Sequence, residues 1–174
     1  AATGEVKEIS RGGKDLFAAY PEINTWRAPT DNDEIRGWSG QDYKPAGLWR
    51  KAGYNAITLS ESAAEAASTD DGRPAILLKR RYHGSDSTKP VTHDMSLSIT
   101  ADGALEVNSK FDWHPGLPDL PRVGLKMALA EGFEEIEWFG KGPWENYRDR
   151  DCAPVGRYSS SVDEMFVPYI LPQE

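Results

Sequence analysis

The sequence predicts an all-β sandwich carrying one short helix. Three observations predict it. Apolar and polar residues alternate strictly in several runs, as Met95, Leu97 and Ile99 do against Ser96, Ser98 and Thr100. These runs recur at short spacing, with Gly-Gly and Asp-Gly turns between them. Only residues 45–52 show a clear helical spacing, and strands without alternating helices point to a sandwich rather than an α/β sheet.

In chain order, residues 5–9 and 15–19 flank Arg11-Gly12-Gly13-Lys14 and read as a β-hairpin. Trp26-Arg27-Ala28-Pro29-Thr30-Asp31-Asn32-Asp33 is a dense polar cluster. Pro29 bars helix at Ala28, and Asp31, Asn32 and Asp33 are side-chain-to-backbone turn formers. Residues 36–47 read as a long loop containing Trp38 and Tyr43. Over 45–52, Pro45 sits in the first turn, Leu48, Trp49 and Ala52 share a face, and Gly53 ends the helix.

Period two then takes over. A strand starts at 56–59 and runs toward the alanines of 63–67, a patch equally compatible with helix. Asp70-Asp71-Gly72 is a turn into a strand over 75–82, and 84–90 is a polar loop. After the Met95–Ile99 alternation, Asp102-Gly103 turns the chain into Leu105, Val107, Ser109, Phe111 and Trp113. Three prolines make 114–121 a loop; Val123, Leu125, Met127 and Leu129 form a further strand, and Ile136 with Trp138 begins another. Ser159-Ser160-Ser161 reads as loop or strand-edge polarity.

At 174 residues the chain is one domain, or a piece of one, able to bury about 70% of its unfolded surface. An apolar content of 39% with six Trp and seven Tyr excludes a disordered chain. The net charge of −8 argues against a nucleic-acid partner, and no apolar run spans a bilayer. A water-soluble protein is expected, cytoplasmic or periplasmic. The single Cys152 allows no internal disulfide.

The second dense cluster is Gly140-Lys141-Gly142-Pro143-Trp144-Glu145-Asn146-Tyr147, followed by Arg148-Asp149-Arg150. A flat indole beside a carboxylate, an amide and a phenol suits a sugar, whose C–H faces stack and whose hydroxyls hydrogen-bond. The same residues also suit a well-tied structural turn, which composition alone favours. Trp144, Glu145, Asn146 and Tyr147 are therefore candidate pocket residues, and Arg27, Asp31, Asn32 and Asp33 of the first cluster are motif candidates. No catalytic dyad is assigned. Acidic pairs such as Asp31/Asp33 lie along one element, whereas retaining hydrolysis needs two carboxyl groups about 5–5.5 Å apart across a sugar. A capped turn with Arg27 paired to an acid is the structural alternative. No metal site is assigned, because His83, His93 and His114 lack ligand spacing and the Asp-Asn-Asp turn lacks the remaining Ca²⁺-loop positions.

Three segments in register resemble the small-chain domain of lacZ-type β-galactosidases, in glycoside hydrolase family 2. They are the Trp26–Asp33 cluster, the 140–150 cluster and Met165-Phe166-Val167-Pro168-Tyr169-Ile170-Leu171-Pro172-Gln173-Glu174. The resemblance covers nearly the whole chain. It implies a galactose-mutarotase-like β-sandwich (a supersandwich), here truncated, and a parent enzyme hydrolysing terminal β-D-galactosides with retention. It also implies that the catalytic glutamates belong to a TIM-barrel domain absent from this chain. On that basis no cofactor is expected in this segment, while Mg²⁺ and Na⁺ are expected for the intact parent. The expected partners are the barrel of the same polypeptide, a β-galactoside and, because a truncated sandwich leaves unpaired edges, further copies in a homo-oligomer. Arg27, Asp31, Asn32 and Asp33 would fix a mobile loop over 34–47 bordering the pocket. A carbohydrate-binding module using Trp144, Tyr147 and Trp26, or a hexose mutarotase, are the alternatives.

Overall fold

A computed structural model describes residues 6–144, 146 and 151–166. Among these are ten strands in several antiparallel sheets, two α-helices and one 3-10 turn (Tyr54–Ala56), and the fold is all-β as the alternation predicts. The hairpin β1 (Ser10–Arg11) and β2 (Lys14–Asp15) turns on Gly12-Gly13, with shorter strands than the sequence suggests. The expected strand over 15–19 instead continues as β3 (Phe17–Asn24). Pro21 sits inside it, where the pairing with β8 (Gly124–Leu129) shifts register between Ala19 and Glu22, the kind of irregularity that tolerates a missing N–H.

Four strands make the main sheet in the order β4 (Thr58–Ser68), β5 (Pro74–His83), β6 (Pro90–Ile99) and β7 (Leu105–Trp113). The alanine patch of 63–67 is thus strand. Its residues pair one-for-one with 75–79 of β5, and a helix there would leave that edge unpaired. Register places Tyr82, Val91 and Trp113 in one row, Arg80, His93 and Phe111 in the next, and Leu78, Met95 and Ser109 in the third. This face meets β3 and β8: Ile23 joins Tyr82 and Val91 in the core, and Leu125 packs on Leu78, Met95 and Leu97. The opposite face is wet, carrying the ion pairs Lys79–Glu65 and Lys110–Asp112. His93 lies in the middle of the apolar face with no solvent exposure, stacked on Phe111 at 4.3 Å.

Helix α1 spans Pro45–Ala52, with Pro45 at its start and Gly53 closing it at φ 80°. A Cβ on Gly53 would fall 2.5 Å from the Ser85 nitrogen, and one on Gly84 would fall 1.9 Å from the Ala52 oxygen. Glycine at both points lets the helix end dock on the β5–β6 turn, where the Ser85 N–H donates to that Ala52 carbonyl at 2.9 Å. Trp49, Ala46 and Tyr54 then form a second core with Trp26 and Leu120.

A last antiparallel pair, β9 (Glu135–Lys141) and β10 (Val155–Ser161), forms a separate ribbon. The three serines at 159–161 are therefore strand, paired with Glu135–Glu137. They lead into α2 (Val162–Met165), which Ser161 and Glu164 close with a reciprocal capping box that sequence reading missed.

Candidate functional site

Arg27 ties the polar cluster together. Its guanidinium meets the Asp33 carboxylate with two nitrogens, at 2.6 and 3.1 Å. It also donates to the carbonyls of Ala28 and Pro121 and lies 5.0 Å from the Trp49 ring centre. Both partners are largely shielded, with side-chain exposures of 17% and 10%. Asp33 accepts from the Thr30 N–H at 2.8 Å and from the Thr30 hydroxyl at 3.0 Å, capping the turn that the sequence marks with Asp-Asn-Asp. Burial pushes the Asp33 carboxyl up, but Arg27 and Thr30 outweigh it and the net shift is downward. Asp33 also reaches the helix, because its carbonyl accepts from the Ala46 N–H at 3.3 Å. Arg27 thus pairs with an acid in a capped turn, the structural alternative that sequence reading carried.

This clasp forms one wall of a cavity of about 650 Å³. Arg27, Asn32 and Asp33 line it, and so does Asn146 from the second cluster. Two motifs more than 100 residues apart in sequence therefore meet at one place. Asp31 is exposed and does not line the cavity. Trp144 is 66% exposed and is not among the lining residues, and its carbonyl accepts from the Asn146 amide at 3.2 Å. Glu145 and Tyr147 lie outside the described residues, as do 148–150 and the last motif beyond Phe166. Trp26, a candidate stacking platform, is taken up by the core, edge-on to Trp49 at 6.3 Å.

Sequence reading missed a further stretch of the lining, contributed by Asp119, Leu120, Pro121, Arg122 and Val123. Its cue was weak: the proline-rich loop is held by its backbone, through Arg27 to the Pro121 carbonyl and the Tyr54 hydroxyl to the Pro118 carbonyl at 2.6 Å. The loop over 34–47 is tied as well. The Gln41 side chain accepts from the Ile35 N–H at 2.8 Å and donates to the carbonyls of Ile35 and Trp38. Glu34 is gripped by Arg50, whose hydrogen bonds lower the Glu34 pKa. Trp38 and Tyr43 project outward, about three-quarters exposed.

The family model described as Beta galactosidase small chain matches residues 1–174. The chain belongs to that family. A β-galactosidase of Vibrio cholerae is 31% identical over 99% of this chain, and one of Streptococcus thermophilus is 33% identical over 93%. One of Halalkalibacterium halodurans is 30% identical over 99%. The chain covers 17%, 15% and 16% of the length of these three relatives. In this β-galactosidase small chain each histidine has a local setting. His83 bonds the Gly84 carbonyl, His114 accepts from the Gly116 N–H, and His93 is buried in the core. Among the described residues no three His, Cys, Asp or Glu side chains converge as a metal site, and no helix is long and apolar enough to cross a membrane.

Proposed function

We propose that this chain is a segment of a larger β-galactosidase that hydrolyses terminal β-D-galactosides with retention, and that the cavity framed by Arg27, Asp33 and Asn146 borders the galactoside pocket. The observation that carries the reading is the family match over residues 1–174, in a chain that covers 15–17% of the β-galactosidases it resembles. In this reading the acid/base and nucleophilic glutamates belong to a catalytic barrel elsewhere in the parent polypeptide. The small chain supplies a rigid wall. Arg27 spends its donors on Asp33 and on two carbonyls, so it fixes the turn and the 118–121 loop rather than the sugar. The loop over 34–47, held as one unit by Gln41, borders the pocket and closes toward it, excluding water from the charges around the sugar.

Mg²⁺ and Na⁺ belong, in this reading, to the barrel. No step is routed through a metal here. The whole enzyme is proposed to be a homo-oligomer, with the outer edges of β3 and β8, which pair with no other described strand, as candidate pairing edges.

The test is hydrolysis of a chromogenic β-galactoside by the intact parent and by the 174-residue chain. The parent is expected to cleave it and the chain alone to leave it intact. Cleavage by the chain alone would overturn the assignment of the reacting groups to another domain, and an inert parent would overturn the hydrolase reading altogether.

A further inference from the structure

The 118–122 loop is pinned at two prolines. The Pro118 carbonyl takes the Tyr54 hydroxyl and the Pro121 carbonyl takes the Arg27 guanidinium, both from groups anchored in the second core. Between and beside these anchors stand Asp119 and Arg122, both exposed and both lining the cavity. Neither side chain makes a hydrogen bond or ion pair with a described residue, although burial, helped by the Asp119 charge, raises the Tyr54 phenol. Every other charged side chain lining the cavity is committed, Arg27 and Asp33 to one another. A stiff loop that presents one unused carboxylate and one unused guanidinium over a cavity is arranged to bind.

The charges select the ligand. A purely anionic ligand would meet Asp119 and a purely cationic one would meet Arg122, so a ligand without net charge fits best. A carboxylate that only accepts and a guanidinium that only donates together match neighbouring hydroxyls, each of which can do both. Leu120 and Val123 add apolar surface for C–H groups, and the volume falls in the ordinary range for small-molecule sites. We infer that Asp119 and Arg122 are a hydroxyl-binding pair that fixes a sugar ring in this cavity. The sugar's identity as a β-galactoside rests on the reading above.

Asp119→Asn and Arg122→Gln in the intact parent test this. Both side chains are exposed, so an unchanged melting temperature is expected to accompany each change. Loss of a charged hydrogen-bonding partner is expected to raise KM about tenfold while kcat stays within about twofold, the signature of binding shared by ground and transition states. KM within twofold of wild type in both variants overturns the inference and leaves the hydrolase reading standing, as does a fall in kcat with KM unchanged. Should the parent prove inert, the hydrolase reading falls and the pair is judged by amide NMR shifts of the 174-residue chain titrated with methyl β-D-galactoside. Saturable shifts at 119–122 that vanish in Arg122→Gln then support it, and their absence overturns it.

Discussion

Lowering the pH from 7.5 to 5 is expected to remove about 2 kcal/mol of stability through His93 alone. Burial lowers its pKa from 6.5 to about 4, the Arg80 charge across the strand pair adds to the shift, and Asp94 opposes it weakly. Phe111 covers one ring face and the Ser109 hydroxyl meets Nε2 at 3.1 Å, while Nδ1 has no partner among the described residues. The unfolded chain therefore takes up a proton near pH 6.5 and the folded chain only near 4. Between those values the unfolded state binds more protons, so stability is fully present above 6.5 and falls as the pH drops. With these two pKa values the loss is about 2 kcal/mol by pH 5 and about 3 kcal/mol by pH 4. Asp71 and Asp86, each held near 2 chiefly by hydrogen bonds from Thr69 and Thr88, lose their contributions below their ordinary carboxylate range. Urea denaturation of wild type and His93→Gln, followed by tryptophan fluorescence from pH 7.5 to 5, isolates the histidine. The variant starts less stable, and the gap narrows by about 2 kcal/mol across that range. Parallel profiles would refute the reasoning.

Three further outcomes follow from the packing. Asp33→Asn leaves Arg27 half-buried without its charge partner, at a cost of about 2–3 kcal/mol readable in thermal denaturation; a smaller loss is expected from Arg27→Lys, which keeps the charge and forfeits the fork. Gly84→Ala drives a methyl into the Ala52 carbonyl and is expected to cost at least about 2 kcal/mol, with a changed Trp49 emission as the helix end lifts. Gln41→Ala removes three loop hydrogen bonds, so limited proteolysis between 35 and 41 is expected to quicken while global stability falls by no more than about 1 kcal/mol.

Legibility differed between elements for physical reasons. Helix α1 was readable to the residue because Pro45 and Gly53 each encode a backbone constraint at its ends. The strands β5 to β7 were readable because one face is buried and one wet, which writes a period of two into the sequence. β10 was not, since its serines lie on an exposed ribbon that asks for no apolar alternation. At the cavity, sequence brought Arg27 and an acid together but could not choose between Asp31 and Asp33. Turn geometry made that choice by aiming Asp33 inward and leaving Asp31 in water. The 118–123 wall escaped notice because carbonyls anchor it, and every residue has one.

The ribbon of β9 and β10 has a consequence for how the molecule breathes. Among the described residues its strands pair only with each other, whereas β5 and β6 are flanked by neighbours on both sides. Opening the ribbon sacrifices one ladder and uncovers little that is not already wet. Its amides trade hydrogen with solvent through a local excursion, long before those of the central strands, which must wait for the whole sheet to come apart. The Gly142–Trp144 end of the 140–147 cluster hangs from that looser unit, and the Arg27 clasp from the tighter one.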